Sequence, residues 1–293
     1  MDETVPQPEA TISSTPSPTR LPRELIREIL SFFWYDREAL GDYALVSHDW
    51  LLESRPFLFR NINVFNRDQP GRFISNFLHS DRLHPWLTSI HHISFSPTRR
   101  DQEGFILDIS ENLSNLRTMK CQLDLLDFRT DVVRAFSQFE RLHHLELVIC
   151  TFASFGYFKK IIVALPALSS LILRRVSWHK SQAAAPGEPS AASAQLDDMR
   201  PALSKVSVST RFSKTKNHTD DVLLWLLTTP TRQLLKELSL DIAHIDAALR
   251  LIAGRSEPLA ALDVHFYREG DVELLTFGKA PPTSSELSPL TTD

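Results

Sequence analysis

Glycine is scarce in this chain, with eight in 293 residues against 18 prolines. Loops that cradle phosphate, and the sharp turns that present a nucleophile, need glycine where backbone must approach closely or take a positive φ. No G-x-S-x-G, G-x-G-x-x-G, G-x-x-x-x-G-K-[ST] or H-E-x-x-H run occurs, so the common sequence signatures of catalysis are missing. Two cysteines exclude a disulfide framework and fit a reducing compartment. A net charge of −4 and a pI near 6.3 leave no global basic field, which argues against a nucleic-acid partner. Long hydrophobic runs are lacking too. Ile161 to Leu173 is interrupted by Pro166, Val222 to Leu227 is shorter still, and no apolar signal-peptide core precedes Leu25. These absences predict a soluble, non-catalytic protein of the cytoplasm or nucleus, with no cofactor and no membrane partner.

What is present begins with a tail. Met1 to Arg20 carries four prolines and only isolated apolar residues, so it is expected to be disordered, and its Thr15-Pro16 and Ser17-Pro18 are dipeptides common in any such tail. Order is expected from Leu21-Pro22, since proline suits a first helical turn. Leu25, Ile26, Ile29 and Leu30 then form an apolar face at helical period, with Arg23, Glu24, Arg27 and Glu28 opposite. A second amphipathic stretch runs from Glu38 to Leu52 and a third from Arg55 to Ile62. Three short helices over 21–62 make a marginal core alone, of the kind that gains stability from a partner or an adjoining domain. Residues 63–87 read as a connecting helical segment.

The rest is periodic. The pattern apolar-x-x-apolar-x-apolar starts at Ile90, Leu116, Leu142 and Leu168, each 26 residues after the last, and again at Leu203, Leu235 and Leu259 after steps of 35, 32 and 24. The longest step contains Ser181 to Gln195, an Ala/Ser/Pro-rich run expected to be a surface insertion. Between the strand-like patterns lie helix-like segments, at Phe105 to Leu113, Asp131 to Phe139, Phe155 to Leu165, Asp221 to Thr228 and Ile245 to Ala253. Alternating strand and helix at a period in the twenties is the leucine-rich-repeat arrangement, in which each unit buries its leucines by stacking on its neighbours. The expected fold class is therefore α/β: a three-helix module, then a degenerate solenoid of seven strand–helix units over 88–268. Residues 269–293 are expected to fray.

Positions 1, 4 and 6 of each pattern should point inward, and positions 3, 5 and 7 outward onto a sheet face. That face offers His92, Lys120, His144, Glu146, Arg174, Asp241 and Asp263 as candidate contacts for a client protein. The pairs His91-His92 and His143-His144 do not read as a metal site: neighbours on a strand face opposite ways, and His92 lies two strands, about 10 Å, from His144. Cys121 falls on a core position, and Cys150 on position 9, where cysteine or asparagine often stabilises the turn of such repeats. Trp225 reads as core; Trp178, beside the insertion, reads as the better interface anchor. Lys205, Arg211, Lys214 and Lys216 are locally basic, with Phe212 the one interleaved aromatic, which reads as a solvated edge.

Leu21-Pro22-Arg23-Glu24-Leu25-Ile26-Arg27-Glu28-Ile29-Leu30, with Leu45-Val46-Ser47-His48-Asp49-Trp50 and Arg55-Pro56-Phe57-Leu58-Phe59-Arg60 behind it, resembles the F-box. Ser47 stands where many members have cysteine, His48 where lysine or arginine is usual, and Phe59 where a second tryptophan often occurs. The resemblance implies that Leu21, Pro22, Leu25, Ile26, Ile29 and Leu30, with Leu45, Val46 and Trp50 on a second helix, face a Skp-family adaptor or form the module's core. It further implies a substrate-recognition subunit of a cullin–RING ubiquitin ligase whose repeats hold a client. The other reading of the same residues is a repeat scaffold for protein–protein interaction outside ubiquitin transfer. The client, its phosphorylation state, the pathway and the oligomeric state have no signature in the residues.

Overall fold

A computed structural model describes residues 21–64, 69–96, 102–126, 129–179, 200–209, 218–241, 245–253, 258–268 and 271–277. The expected tail at 1–20, the insertion at 181–195, the basic run beyond Ser209 and the last residues from 278 lie outside the described residues. The chain divides at Leu58 into two compact units. It is a mixed α/β protein with a parallel sheet.

The first unit is three helices, α1 (Arg23–Phe32), α2 (Arg37–Ala44) and α3 (His48–Leu58). Helix α2 begins where the Asp36 carboxylate accepts a hydrogen bond from the Ala39 N–H at 3.0 Å. Helix α3 begins at Ser47, whose hydroxyl accepts from the Trp50 N–H at 3.4 Å. The Ser47 cap divides the stretch Glu38 to Leu52, which periodicity alone runs together. The core is small: Ile26, Leu30 and Leu40, with Phe33, Tyr43, Trp50, Phe57 and Leu58 packed against them.

The second unit is built on one sheet of nine strands, ordered β1 (Asn61–Val64), β2 (His92–Phe95), β3 (Thr118–Cys121), β5 (His144–Val148), β7 (Ser170–Arg174), β9 (Lys205–Ser209), β10 (Glu237–Asp241), β11 (Ala261–Arg268) and β12 (Asp271–Phe277). The first eight run parallel and in chain order. Register follows the repeat pattern throughout. Position 4 pairs as Ile93, Met119, Leu145, Leu171, Val206, Leu238 and Leu262; position 6 pairs as Phe95, Cys121, Leu147, Leu173, Val208, Leu240 and Val264. All of these except the half-exposed Leu262 are buried. A second sheet of three two-residue strands, β4 (Asp124–Leu125), β6 (Thr151–Phe152) and β8 (Ser177–Trp178), carries Leu125, Phe152 and Trp178 inward.

Helices return the chain between strands: α4 (Gln69–Phe73, continued by a π-helical turn at Ile74–Leu78), α5 (His84–Leu87), α6 (Gln102–Asn112), α7 (Thr130–Ser137) and α8 (Phe155–Ala164). Then come α9 (His218–Leu226), α10 (Thr231–Leu234) and α11 (Ile245–Ile252). Buried polar groups close the joints. The Gln102 side-chain oxygen accepts from the Asp124 N–H at 2.7 Å, and the Thr231 hydroxyl accepts from the Leu203 N–H at 3.1 Å while donating to the Pro201 carbonyl at 2.7 Å. The Cys150 thiol accepts from the Leu123 N–H at 3.3 Å and donates to the Cys121 carbonyl at 3.4 Å. Position 9 of that unit thus ties the strand end of the preceding one.

Two expectations need correction. The third helical stretch, expected over Arg55 to Ile62, ends with α3 at Leu58, and β1 (Asn61–Val64) runs from there into the expected connecting segment, so the sheet starts a unit earlier than Ile90. The stretch 269–293 includes β12, which pairs antiparallel with β11, setting Phe277 opposite Leu262 and Leu275 opposite Val264.

Candidate functional site

Helix α1 has three faces rather than two. Ile26 and Leu30, with Phe33 one turn on, point into the core. Arg23 and Arg27 face α3: Arg23 Nη2 lies 2.8 Å from Asp49 Oδ1, and Arg27 donates from Nε to Glu53 Oε2 at 2.8 Å. The sequence had set those arginines on a plain solvent side. Glu53 is buried, so the second pair is the better shielded. The third face is apolar and open. Leu25 and Phe32, at i and i+7, are 46% and 67% exposed, half-buried Ile29 lies between them, and Leu21 stands 42% exposed just before the first turn.

The link between α2 and α3 adds to this surface. Leu45 and Val46 are 85% and 63% exposed and lie between helices, not on the second helix as the sequence implied. The Arg23–Asp49 pair ties the start of α1 to the first turn of α3. Leu45 and Val46, which run into that turn, therefore sit at the same end of the unit as Leu21 and Pro22. Ile26 and Leu30 belong to the core. Trp50 is half-buried against Tyr43, ring centroids 5.4 Å apart, and Tyr43 in turn lies 5.1 Å from Phe33. The Val-Ser-x-x-Trp run thus decomposes into an exposed valine, a capping serine and a packing tryptophan. Of the nine residues assigned to an adaptor, Leu21, Pro22, Leu25, Leu45 and Val46 are accessible, and Ile29 and Trp50 are partly so.

The sheet face of the second unit is polar and in register. One row runs Asn61, His92, Thr118, His144, Ser170, Lys205, Glu237, Ala261; the next runs Asn63, Ser94, Lys120, Glu146, Ile172, Ser207, Ser239, Asp263. Neighbouring units join across it. His144 Nδ1 lies 2.8 Å from the Ser170 hydroxyl, and Glu146 Oε1 lies 3.1 Å from Lys120 Nζ and 3.2 Å from Arg174 Nε. These last are ion-pair distances without hydrogen-bond alignment. Burial holds the His92 imidazole below its ordinary range, with Arg60 adding to the effect; for His144 burial outweighs the nearby Glu146 carboxylate, which acts the other way. Arg174 is exposed, and His92, Lys120, His144 and Asp263 are half-buried.

Two assignments fail. Asp241, expected on the accessible face, is 4% exposed at the end of β10, between β9 and β11. Trp178, expected as an interface anchor, is buried at 6% exposure, its ring 4.8 Å from Phe155 and 5.7 Å from Phe158. It turns inward on the second sheet, which the main pattern does not announce. Trp225 is half-buried against the same two rings. Burial raises the Cys121 thiol well above its ordinary value and pushes Cys150 up to about 12, so both stay protonated at neutral pH. Among the described residues no helix is long and apolar enough to cross a membrane, and no three His, Cys, Asp or Glu side chains converge to hold a metal ion. A scan against protein-family models and a search of curated proteins find no match to this chain.

Proposed function

We propose that the chain is a substrate receptor of a cullin–RING ubiquitin ligase: 21–62 acts as an F-box that holds a Skp-family adaptor, and a degenerate leucine-rich-repeat solenoid presents its sheet face to a client. One observation carries the reading. A unit with a core as small as Ile26, Leu30 and Leu40 leaves Leu21, Leu25, Leu45 and Val46 exposed. So many large apolar side chains left open in so small a unit support an interaction site. The resemblance of the same residues to the F-box supplies the partner's identity, and the in-register polar face supplies a client platform.

The test is capture of a Skp-family adaptor by the full chain, beside a Leu21→Ala, Pro22→Ala double variant. Adaptor recovery should drop with the variant while its thermal unfolding stays in place, because neither side chain belongs to the core. Equal recovery would sink the reading. Capture of adaptor without cullin and RING subunits, and without transfer of ubiquitin to any client, would favour the scaffold alternative.

A further inference from the structure

Among the described residues of the second unit, Ile149 at φ 54° and Arg175 at φ 55° have left-handed backbone. Both occupy position 8, directly after β5 and β7, and they sit on adjacent strands. The fold accounts for the backbone: turned this way, Ile149 N–H donates to the Arg174 carbonyl at 2.8 Å and Arg175 N–H to the Ser209 carbonyl at 2.9 Å, extending the ladder by one rung. It does not account for the side chains. Glycine or asparagine adopts this conformation at little cost, whereas a β-branched residue is an outlier there. Ile149 is also 41% exposed, so core packing does not demand it. Strained, solvent-facing residues of this kind mark functional positions.

The surroundings say what would be recognised. Val148 and Ile172, both half-exposed, are the aliphatic residues of an otherwise polar stretch of the face. Lys120 and Arg174 stand in register beside them, and Arg175 is exposed at the next position after Arg174, against the single carboxylate of Glu146. Lys205 is already matched by Glu237 at 2.6 Å. Arg174 Nε lies 3.2 Å from Glu146 Oε1, yet 56% of its side chain remains exposed, so its guanidinium is still accessible. A guanidinium fork suits carboxylate or phosphoryl oxygens.

We propose that this strand-end patch, with Ile149, Val148 and Ile172 beside Arg174, Arg175 and Lys120, binds an extended acidic segment of a client through one aliphatic anchor flanked by negative charges. The proposal deepens the receptor reading and rests on it for the notion of a client. Adaptor capture is measured on the same preparations, so that failure of one is separable from failure of the other.

The experiment is selection of displayed random peptides on the full chain, followed by affinity measurement of a selected peptide and of its version with phosphoserine in place of an acidic residue. Selected peptides should carry Asp or Glu within a few positions of Leu, Ile or Val. Arg174→Glu should weaken them by about tenfold or more, as loss of a paired charge at an interface does. Ile149→Asn should also weaken them while raising the unfolding temperature, because it relieves the backbone and removes the anchor; this excludes misfolding as the cause. Tighter binding of the phosphoserine version assigns the patch to phosphorylated clients, and equal binding assigns it to plain carboxylates. Peptides without an acidic signature, or unchanged affinity in both variants, would overturn the proposal.

Discussion

The two units dispose of apolar side chains in opposite ways. Among the described residues, Leu21, Leu25, Phe32, Trp34, Tyr35, Leu45 and Val46 are exposed in the three-helix unit, against Ile149, Leu224, Leu234 and Leu249 in the much longer second unit. The second unit stacks its leucines in register, so almost every strand position meant for the core reaches it. The first has too few elements to enclose what it carries. Burial of apolar area stabilises a fold only when something covers it. In the repeat sheet the next strand provides that cover; in the helical unit, under the proposed function, another polypeptide does.

The largest expected effect tests that contrast directly. Leu171 is fully buried on the central strand β7, between Leu145 and Val206. Leu171→Ala should cost about 2–5 kcal/mol, read as a fall in the denaturant midpoint of the second unit. Leu25→Ala removes the same atoms from a side chain that is 46% exposed, and should shift stability by no more than about 0.5 kcal/mol while reducing adaptor capture. If Leu25→Ala destabilises as much as Leu171→Ala, Leu25 is core in solution and the contrast fails.

Much of the second unit was legible because side-chain period and strand pairing obey the same rule. The rows read from positions 3 and 5 of the pattern are the rows the register produces. The strand β1 was equally visible in principle: Phe59-x-x-Ile62-x-Val64 is the same pattern one unit earlier. It was masked by Phe57, Leu58 and Phe59, which read as the end of a helix, and short apolar runs do not distinguish helix from strand. The site in the helical unit was half legible. Periodicity finds an apolar side on α1 but does not say that Ile26 and Leu30 turn inward while Leu25 turns out, since that depends on where α3 lies. Nor does it show that Asp49 and Glu53 claim Arg23 and Arg27, pairs set by tertiary approach across 26 residues. The positive φ at Ile149 has no local signal at all, because the residue type argues against it.

A middle-sized effect comes from the buried thiols. Cys150, with a thiol held at about 12 against an ordinary 9.0, and Cys121, raised well above that value, stay protonated when folded and ionise more readily when unfolded. Between about pH 9 and pH 12 the folded state therefore binds more protons than the unfolded one, and stability must fall as pH rises through that window. Tyr157, also pushed up to about 12 by burial, adds to the fall from its ordinary 10.0. Cys150→Ala should make the decline of the urea midpoint above pH 9 shallower, at the cost of a lower midpoint at neutral pH through loss of the Leu123 and Cys121 hydrogen bonds. An unchanged alkaline slope would mean that the thiol meets water in the folded state. No matching thiol effect is expected in the helical unit, which has no cysteine.

The smallest expected effect guards against reading the polar face as a source of stability. Lys205 and Glu237 approach to 2.6 Å, closer than any other ion pair on the sheet among the described residues. Distance is a poor guide here, because the two side chains are 46% and 49% exposed. Water and salt screen the attraction, and ordering two long side chains costs entropy. Lys205→Met should shift the unfolding midpoint by the equivalent of no more than about 0.5 kcal/mol, with little dependence on added salt. Glu146→Gln removes a carboxylate whose side chain is only 13% exposed and which serves both Lys120 and Arg174, so it should cost more than Lys205→Met. If the order is reversed, exposed charge and not enclosed charge holds neighbouring strands together. The face would then be part of the scaffold rather than a surface free to meet a client.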